Sequence, residues 1–185
     1  KVDDTNDRIK YFYYDVRQDD LTLDLLPEKI DGLVYCPGSI NLRPFNRIKP
    51  DEFTNDFNLQ VVGAIKVIQQ TLPKLKAAEN PSIVLFSTVA VQKGFSFHSQ
   101  VSASKGAIEG FTRAVAAEFA PKIRVNCIAP SLTDTPLAAS LLNSEEKRDA
   151  NAKRHPLKKV GSAENIADMA EFLLSAKSSW ISGQI

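Results

Sequence analysis

The run Ser82-Ile-Val-Leu-Phe-Ser-Thr88 is short, apolar and rich in β-branched residues, the pattern of a strand covered on both faces. A polar loop containing glycine follows. Ser102-Ala-Ser-Lys105 then opens a helical pattern that runs to Phe119 and is closed by Pro121. A second apolar run, Ile123-Arg-Val-Asn-Cys-Ile-Ala-Pro130, comes next. Strand, helix and strand in this order form a right-handed βαβ unit with ligand chemistry at the carboxyl ends of its strands. That restricts the chain to an α/β fold built on a parallel sheet.

The helix between these strands carries two stripes. Ile108, Phe111, Val115 and Phe119 make a bulky one, and Ala103, Ala107, Gly110, Ala114 and Ala117 make a seam of small residues beside it. Such a seam lets another backbone come close. It fits either a second copy of the chain or the helix's own sheet.

Three stretches resemble signatures of the short-chain dehydrogenase/reductase family: Val101-Ser-Ala-Ser-Lys105, Arg124-Val-Asn-Cys-Ile-Ala-Pro130 and Trp180-Ile-Ser-Gly-Gln-Ile185. The resemblance implies a serine, a tyrosine thirteen residues later and a lysine four beyond that. Counted back from Lys105, the serine position holds Thr88 and the tyrosine position holds Val101. The family's helical asparagine, set by Gly63 and Pro73, falls on Gln60. In the family's scheme Lys105 lowers the pKa of the tyrosine and holds the nicotinamide ribose, so Val101 removes the usual proton donor.

Cofactor contacts follow from the same resemblance. Arg8-Ile-Lys-Tyr-Phe-Tyr-Tyr14 reads as a strand, and Asp15-Val16 at its end resembles the pair that meets the adenine; an aspartate ending a strand is the plain alternative. Asp31-Gly-Leu-Val-Tyr-Cys36 reads as the next buried strand, and Gly38 keeps the glycine of the turn that closes over the cofactor. In Pro130-Ser-Leu-Thr-Asp-Thr135, Pro130, Thr133 and Thr135 stand where the family touches the nicotinamide amide and the pyrophosphate. The resemblance implies NAD or NADP as cofactor, with the choice between them unread.

Elsewhere, Asp51 to Ala78 is one long helical pattern, with Phe53, Phe57, Val61, Ile65, Ile68 and Leu72 as a packing stripe interrupted by Pro73. The charged stretch from Pro136 to Lys159 reads as a solvated segment, and Ser162 and Asn165 sit at cap-like positions of a helix to Leu174.

The 185 residues are 43% hydrophobic with a formal charge of +1, which fits a single domain over 1–185 and implies neither nucleic acid nor membrane as a partner. No apolar run approaches the roughly 20 residues of a bilayer span. Cys36 and Cys127 read as buried free thiols in a cytosolic protein, and His98 and His155 lie too far apart to suggest a metal site.

The expected fold is therefore an α/β doubly wound parallel sheet of Rossmann type. Its first βαβ unit, roughly 45 to 55 residues, and its last strand are expected to lie outside this stretch. Two functions stay open. One is an NAD(P)-dependent oxidoreductase acting on a small carbonyl or alcohol as a homodimer or homotetramer, with His98 or a water in place of the tyrosine. The other is a catalytically impaired relative that binds a nucleotide or a partner.

Overall fold

The computed structural model describes residues 8–185. Three parallel strands, β1 (Gly32–Val34), β2 (Ser82–Phe86) and β3 (Arg124–Ile128), lie in the order β1-β2-β3. The register sets Leu33 beside Ile83 and Ile83 beside Val125.

Side chains alternate across this sheet, as the pleat requires. Ile83 and Leu85 of β2 join Val125 and Cys127 of β3 in one core, where they meet the helices α2 (Gly63–Ala77) and α4 (Ser99–Phe119); α1 (Pro50–Phe57) precedes α2 and adds no residue to it. Val84 and Ile128 point the other way, against Ala170 and Leu173 of α6 (Ala163–Leu174). Helices thus cover both faces, which is the doubly wound arrangement. α3 (Ala90–Lys93) is a single turn, α5 (Glu145–Arg154) buries no residue, and a two-stranded parallel pair joins β4 (Thr133–Asp134) to β5 (Gly161–Ser162).

Several elements differ from the sequence reading. Arg8–Tyr14 forms no strand, because a strand needs a ladder partner and none lies beside it among the described residues. Ile9, Tyr11, Phe12 and Tyr13 are exposed instead. An apolar cleft of about 660 Å³ separates this segment from β1. For the same reason β1 is an edge strand, with Gly32 and Val34 exposed rather than buried. Cys36 lies past its end and is exposed, while Cys127 is buried, and both are free.

The long helical pattern is not one α-helix. α1 and α2 are joined by a stretch of π-helix, Asn58–Val62, and Phe57 of the expected packing stripe is 40% exposed. α2 runs on through Pro73, whose exposed position leaves water to serve the carbonyl it cannot bond. α4 starts three residues earlier than expected: the Ser102 amide already donates to the His98 carbonyl at 2.8 Å. Its bulky stripe turns inward, with Ile108 and Val115 buried. Of its small seam only Ala107 packs against the core. Ala103, Gly110, Ala114 and Ala117 are exposed and Ala107 half-buried.

Two side chains fasten the far end. The Arg124 guanidinium donates to the carbonyls of Leu173, Leu174, Ser175 and Ser178, capping the last turn of α6 onto β3. Asn126 donates to the Ile181 carbonyl and accepts from the Gln184 amide, while Cys127 N donates to the Gln184 carbonyl. Gly183 N also donates to the Val125 carbonyl, so the tail at Gly183 and Gln184 is bonded alongside β3 without forming a strand.

Candidate active site

The loops that leave β1, β2 and β3 gather at the carboxyl end of the sheet, where a parallel α/β fold places its ligands. The loop after β1 carries Gly38 and the one after β2 carries Thr88. Pro130 follows β3, and its carbonyl accepts from Val89 N at 3.2 Å. The first turns of α4 add Val101 and Lys105, and the π-helical stretch adds Gln60.

Asp56, the last buried residue of α1, organises this end. It is 5% exposed and accepts four contacts: from Ser39 Oγ, from Gln60 Nε2 at 2.7 and 2.8 Å to its two oxygens, and from Ser104 Oγ at 2.6 Å. Three elements are thereby joined by one carboxylate. Gln60 is 1% exposed, and its Oε1 is buried with no partner. A Cβ placed on Gly38 would stand 3.5 Å from that oxygen and 3.9 Å from Lys105 Nζ, so both side chains aim at the space the glycine leaves open.

Lys105 is half-buried, and burial pulls its ammonium below the usual lysine range; Cys127, Asp56 and Cys36 offset part of this. Thr88 Oγ1 accepts from the Ala90 amide at 3.3 Å, which leaves the hydroxyl proton free to polarise a carbonyl. Val101 is 8% exposed. Beside it, Gln100 accepts from Asn41 Nδ2 at 2.7 Å and donates to the Glu52 carbonyl at 2.6 Å, which pins the loop after β1 to the start of α4. On the inner side Ser87 Oγ donates to the buried Glu109 at 2.7 Å.

The glycine three residues after Gln60 has a packing cause. A Cβ on Gly63 would collide with the Tyr35 phenol and press on Val16. Val16 is accordingly a core residue, 7% exposed. Asp15 serves its own turn: it accepts from the Arg17 amide at 3.0 Å and pairs with the Arg17 guanidinium, which holds its carboxyl below the usual range. The turn reading describes it in this structure. Thr133 donates back to the Ser131 carbonyl, and Thr135 leads into a short 3-10 helix, Pro136–Leu141. The His98 ring sets Nδ1 2.8 Å from the Ser96 carbonyl and packs edge-on against Phe95, so it is occupied by its own loop. The structure therefore brings Gln60, Lys105 and Gly38 together and sets Thr88 and Val101 at the same end of the sheet.

Sequence reading missed Asp56, Ser39 and Ser104. The available signal was the spacing of four between Asp56 and Gln60, which puts a carboxylate and an amide on one helix face. Among the described residues no cluster of three metal-ligating side chains is found, and no helix is long and apolar enough to cross a membrane.

A family model described as enoyl-(acyl carrier protein) reductase matches residues 21–185. A tropinone reductase homologue of Arabidopsis thaliana is 33% identical over 87% of this chain and 62% of its own length. L-xylulose reductase of Bos taurus is 31% identical over 83% of the chain and 64% of its own. The chain thus spans about three fifths of the length of the curated relatives it matches. Among solved structures, a short-chain dehydrogenase/reductase from Brucella melitensis superposes with a TM-score of 0.79 at 31% identity, covering 84% of this chain and 62% of that one. A gluconate 5-dehydrogenase from Burkholderia cenocepacia, in complex with NADP and tartrate, gives 0.82 at 25% identity over 91% and 67%.

Proposed function

Because the chain belongs to the short-chain dehydrogenase/reductase family, we propose that its complete gene product is an NAD(P)-dependent oxidoreductase acting on a small ketone or alcohol. One observation carries this reading. An orphaned buried acceptor, Gln60 Oε1, and a cation, Lys105 Nζ, aim together at the open face of Gly38. Those residues fit a polar ligand lying over the turn, as a nicotinamide ribose would. A dinucleotide held there would supply the hydride chemistry.

The chain's own groups divide the remaining work. Thr88 holds a hydroxyl proton free for the substrate oxygen. Lys105 carries the proton at Nζ, and burial lowers its pKa, which makes the ammonium more acidic than an exposed lysine. Two free thiols fit a reducing, cytoplasmic setting. The exposed seam of α4 supports assembly into a homodimer or homotetramer.

A second reading rests on Val101. A buried apolar side chain stands where the family has its proton donor, which favours a protein that binds the dinucleotide and turns over little. Titration of the complete gene product with NADH and NADPH, followed by absorbance assays over a panel of ketones and alcohols, separates the two. Binding with turnover supports the oxidoreductase, and binding without turnover supports the second reading. No binding of either dinucleotide sinks both.

A further inference from the structure

The loop that leaves β1 carries Gly38 into the site, yet its backbone makes no bonds that would hold it there. Among the described residues no backbone–backbone hydrogen bond reaches positions 36–43, whereas Tyr35 N before them donates to Val84 and Arg47 N after them to Pro44. A segment without such bonds keeps one position only if side chains fasten it. Ser39 makes one fastening, to Asp56. The other is a ring.

Arg43, Asn41, Gln100 and Glu52 form the ring, and each amide in it fits only one way round. Arg43 offers only donors, so Asn41 must turn Oδ1 toward the guanidinium, and Arg43 Nε meets it at 2.7 Å. Asn41 Nδ2 then donates to Gln100 Oε1 at 2.7 Å, which leaves the amino end of Gln100 to donate to the Glu52 carbonyl at 2.6 Å. A carbonyl can only accept, so the two amides agree. Arg43 also donates to the Glu52 carboxylate, and the ring closes on the residue at which the chain of donors ends. Glu52 is itself held, because its other oxygen accepts from the Lys49 amide at the start of α1 at 2.9 Å. Donation runs one way from Arg43 to Glu52 by both routes, the arrangement in which successive hydrogen bonds polarise one another. A partly exposed Arg43–Glu52 pair by itself would hold little.

Gln100 is the member that water cannot replace. It is 5% exposed and stands on α4, one residue before Val101 and five before Lys105. Without its amide the ring opens on the buried side, and the loop keeps only the Ser39 fastening.

We propose that Gln100 is a positioning residue for the dinucleotide: it closes a one-directional ring that fixes the loop after β1, and with it the Gly38 turn, against the first turn of α4. The ring itself touches no ligand. Its part in binding rests on the oxidoreductase reading, whereas its hold on the loop does not.

The test compares the complete gene product as wild type, Gln100→Met, Arg43→Met and the double variant. Each is titrated with NADH and NADPH, melted, and digested briefly with chymotrypsin, for which Leu42 is a cleavage site inside the loop. Each single variant is expected to weaken dinucleotide binding about tenfold, within the range for members of one hydrogen-bond network, and the double variant no further. The variants are expected to be cut after Leu42 under conditions that leave the wild type intact. Arg43→Met opens the same ring from the exposed side, so the comparison stands even where Gln100→Met fails to fold. Losses that add in the double variant overturn the ring, and so does a loop that resists cleavage in the variants. A merely structural Gln100 lowers the melting temperature and leaves affinity unchanged; that outcome, in a wild type that binds, overturns the positioning role alone. A wild type that binds neither dinucleotide sinks the oxidoreductase reading and the binding role that rests on it.

Discussion

The phenol of Tyr35 donates to the carbonyl of Leu59 at 2.6 Å, one residue before Gln60. Burial pushes that phenol up to about 12, so this tyrosine is both committed and a poor acid. Restoring a phenol at position 101 should therefore matter. Val101→Tyr places one a helical turn from Lys105, and reductase turnover is expected to rise by about tenfold or more, given that a general acid is worth 10² to 10⁴. Overpacking at this buried position should lower stability by about 1 to 3 kcal/mol. A folded, dinucleotide-binding Val101→Tyr protein with unchanged turnover on every carbonyl tested counts against hydride transfer as the role of this pocket.

Lys105 should work against stability while serving the site. Its folded-state pKa is depressed by burial, so at neutral pH the native state bears the penalty of an enclosed charge. As pH rises through the depressed folded value toward the ordinary lysine range, the unfolded chain binds more protons than the native one and stability from this group rises. Lys105→Met is expected to melt higher than wild type at pH 7, with the gain shrinking by pH 10. It should also lose dinucleotide affinity. A lower melting temperature for the variant at neutral pH would refute the assignment.

Arg124 offers a stability test away from the chemistry. Its guanidinium serves the carbonyls that end α6, together with Ser178 Oγ at 2.7 Å. Arg124→Met should lower the unfolding free energy by about 2 to 3 kcal/mol, because charged hydrogen bonds are lost and carbonyls are left unserved. Arg124→Lys should recover only part of this, since an ammonium cannot span the same fork. Urea titration measures both.

The seam of α4 predicts an assembly surface. A Cβ at Gly110 would meet nothing within 4 Å, and Ala114 is exposed, so a carboxylate is tolerated on this face of an isolated subunit. In an assembly joined there it is not. Ala114→Glu is expected to reduce the mass seen by light scattering to that of a smaller species with the fold retained. A wild type that already scatters as a monomer removes the surface from consideration.

β2, β3 and α4 were legible because buried parallel strands and an amphipathic helix each leave a strong pattern of apolar residues. Gln60 was legible only through its family register, counted from Gly63 and Pro73. The aromatic run Arg8–Tyr14 misled because β-propensity measures fit to a pleated, half-buried surface, and no strand lies beside it among the described residues. Asp56 was hidden because a lone aspartate in an amphipathic helix ordinarily faces water. The π-helical stretch changes hydrogen-bond spacing rather than composition. Its trace was the repeated step of four in Phe53, Phe57, Val61 and Ile65, longer than the 3.6 of an α-helix.

That wider turn has the length of an α-helix with one residue inserted. Deleting a single residue between Asn58 and Val62 should let the backbone relax into regular α pitch with α1 and α2 keeping their faces, because the wide turn already holds the extra residue. Asp56 would stay against Ser104, but the Gln60 amide, which lies inside the wide turn, would lose its place, while every strand kept its neighbours. A one-codon deletion here is thus a natural route by which this chain could keep its architecture and dismantle its site in a single event.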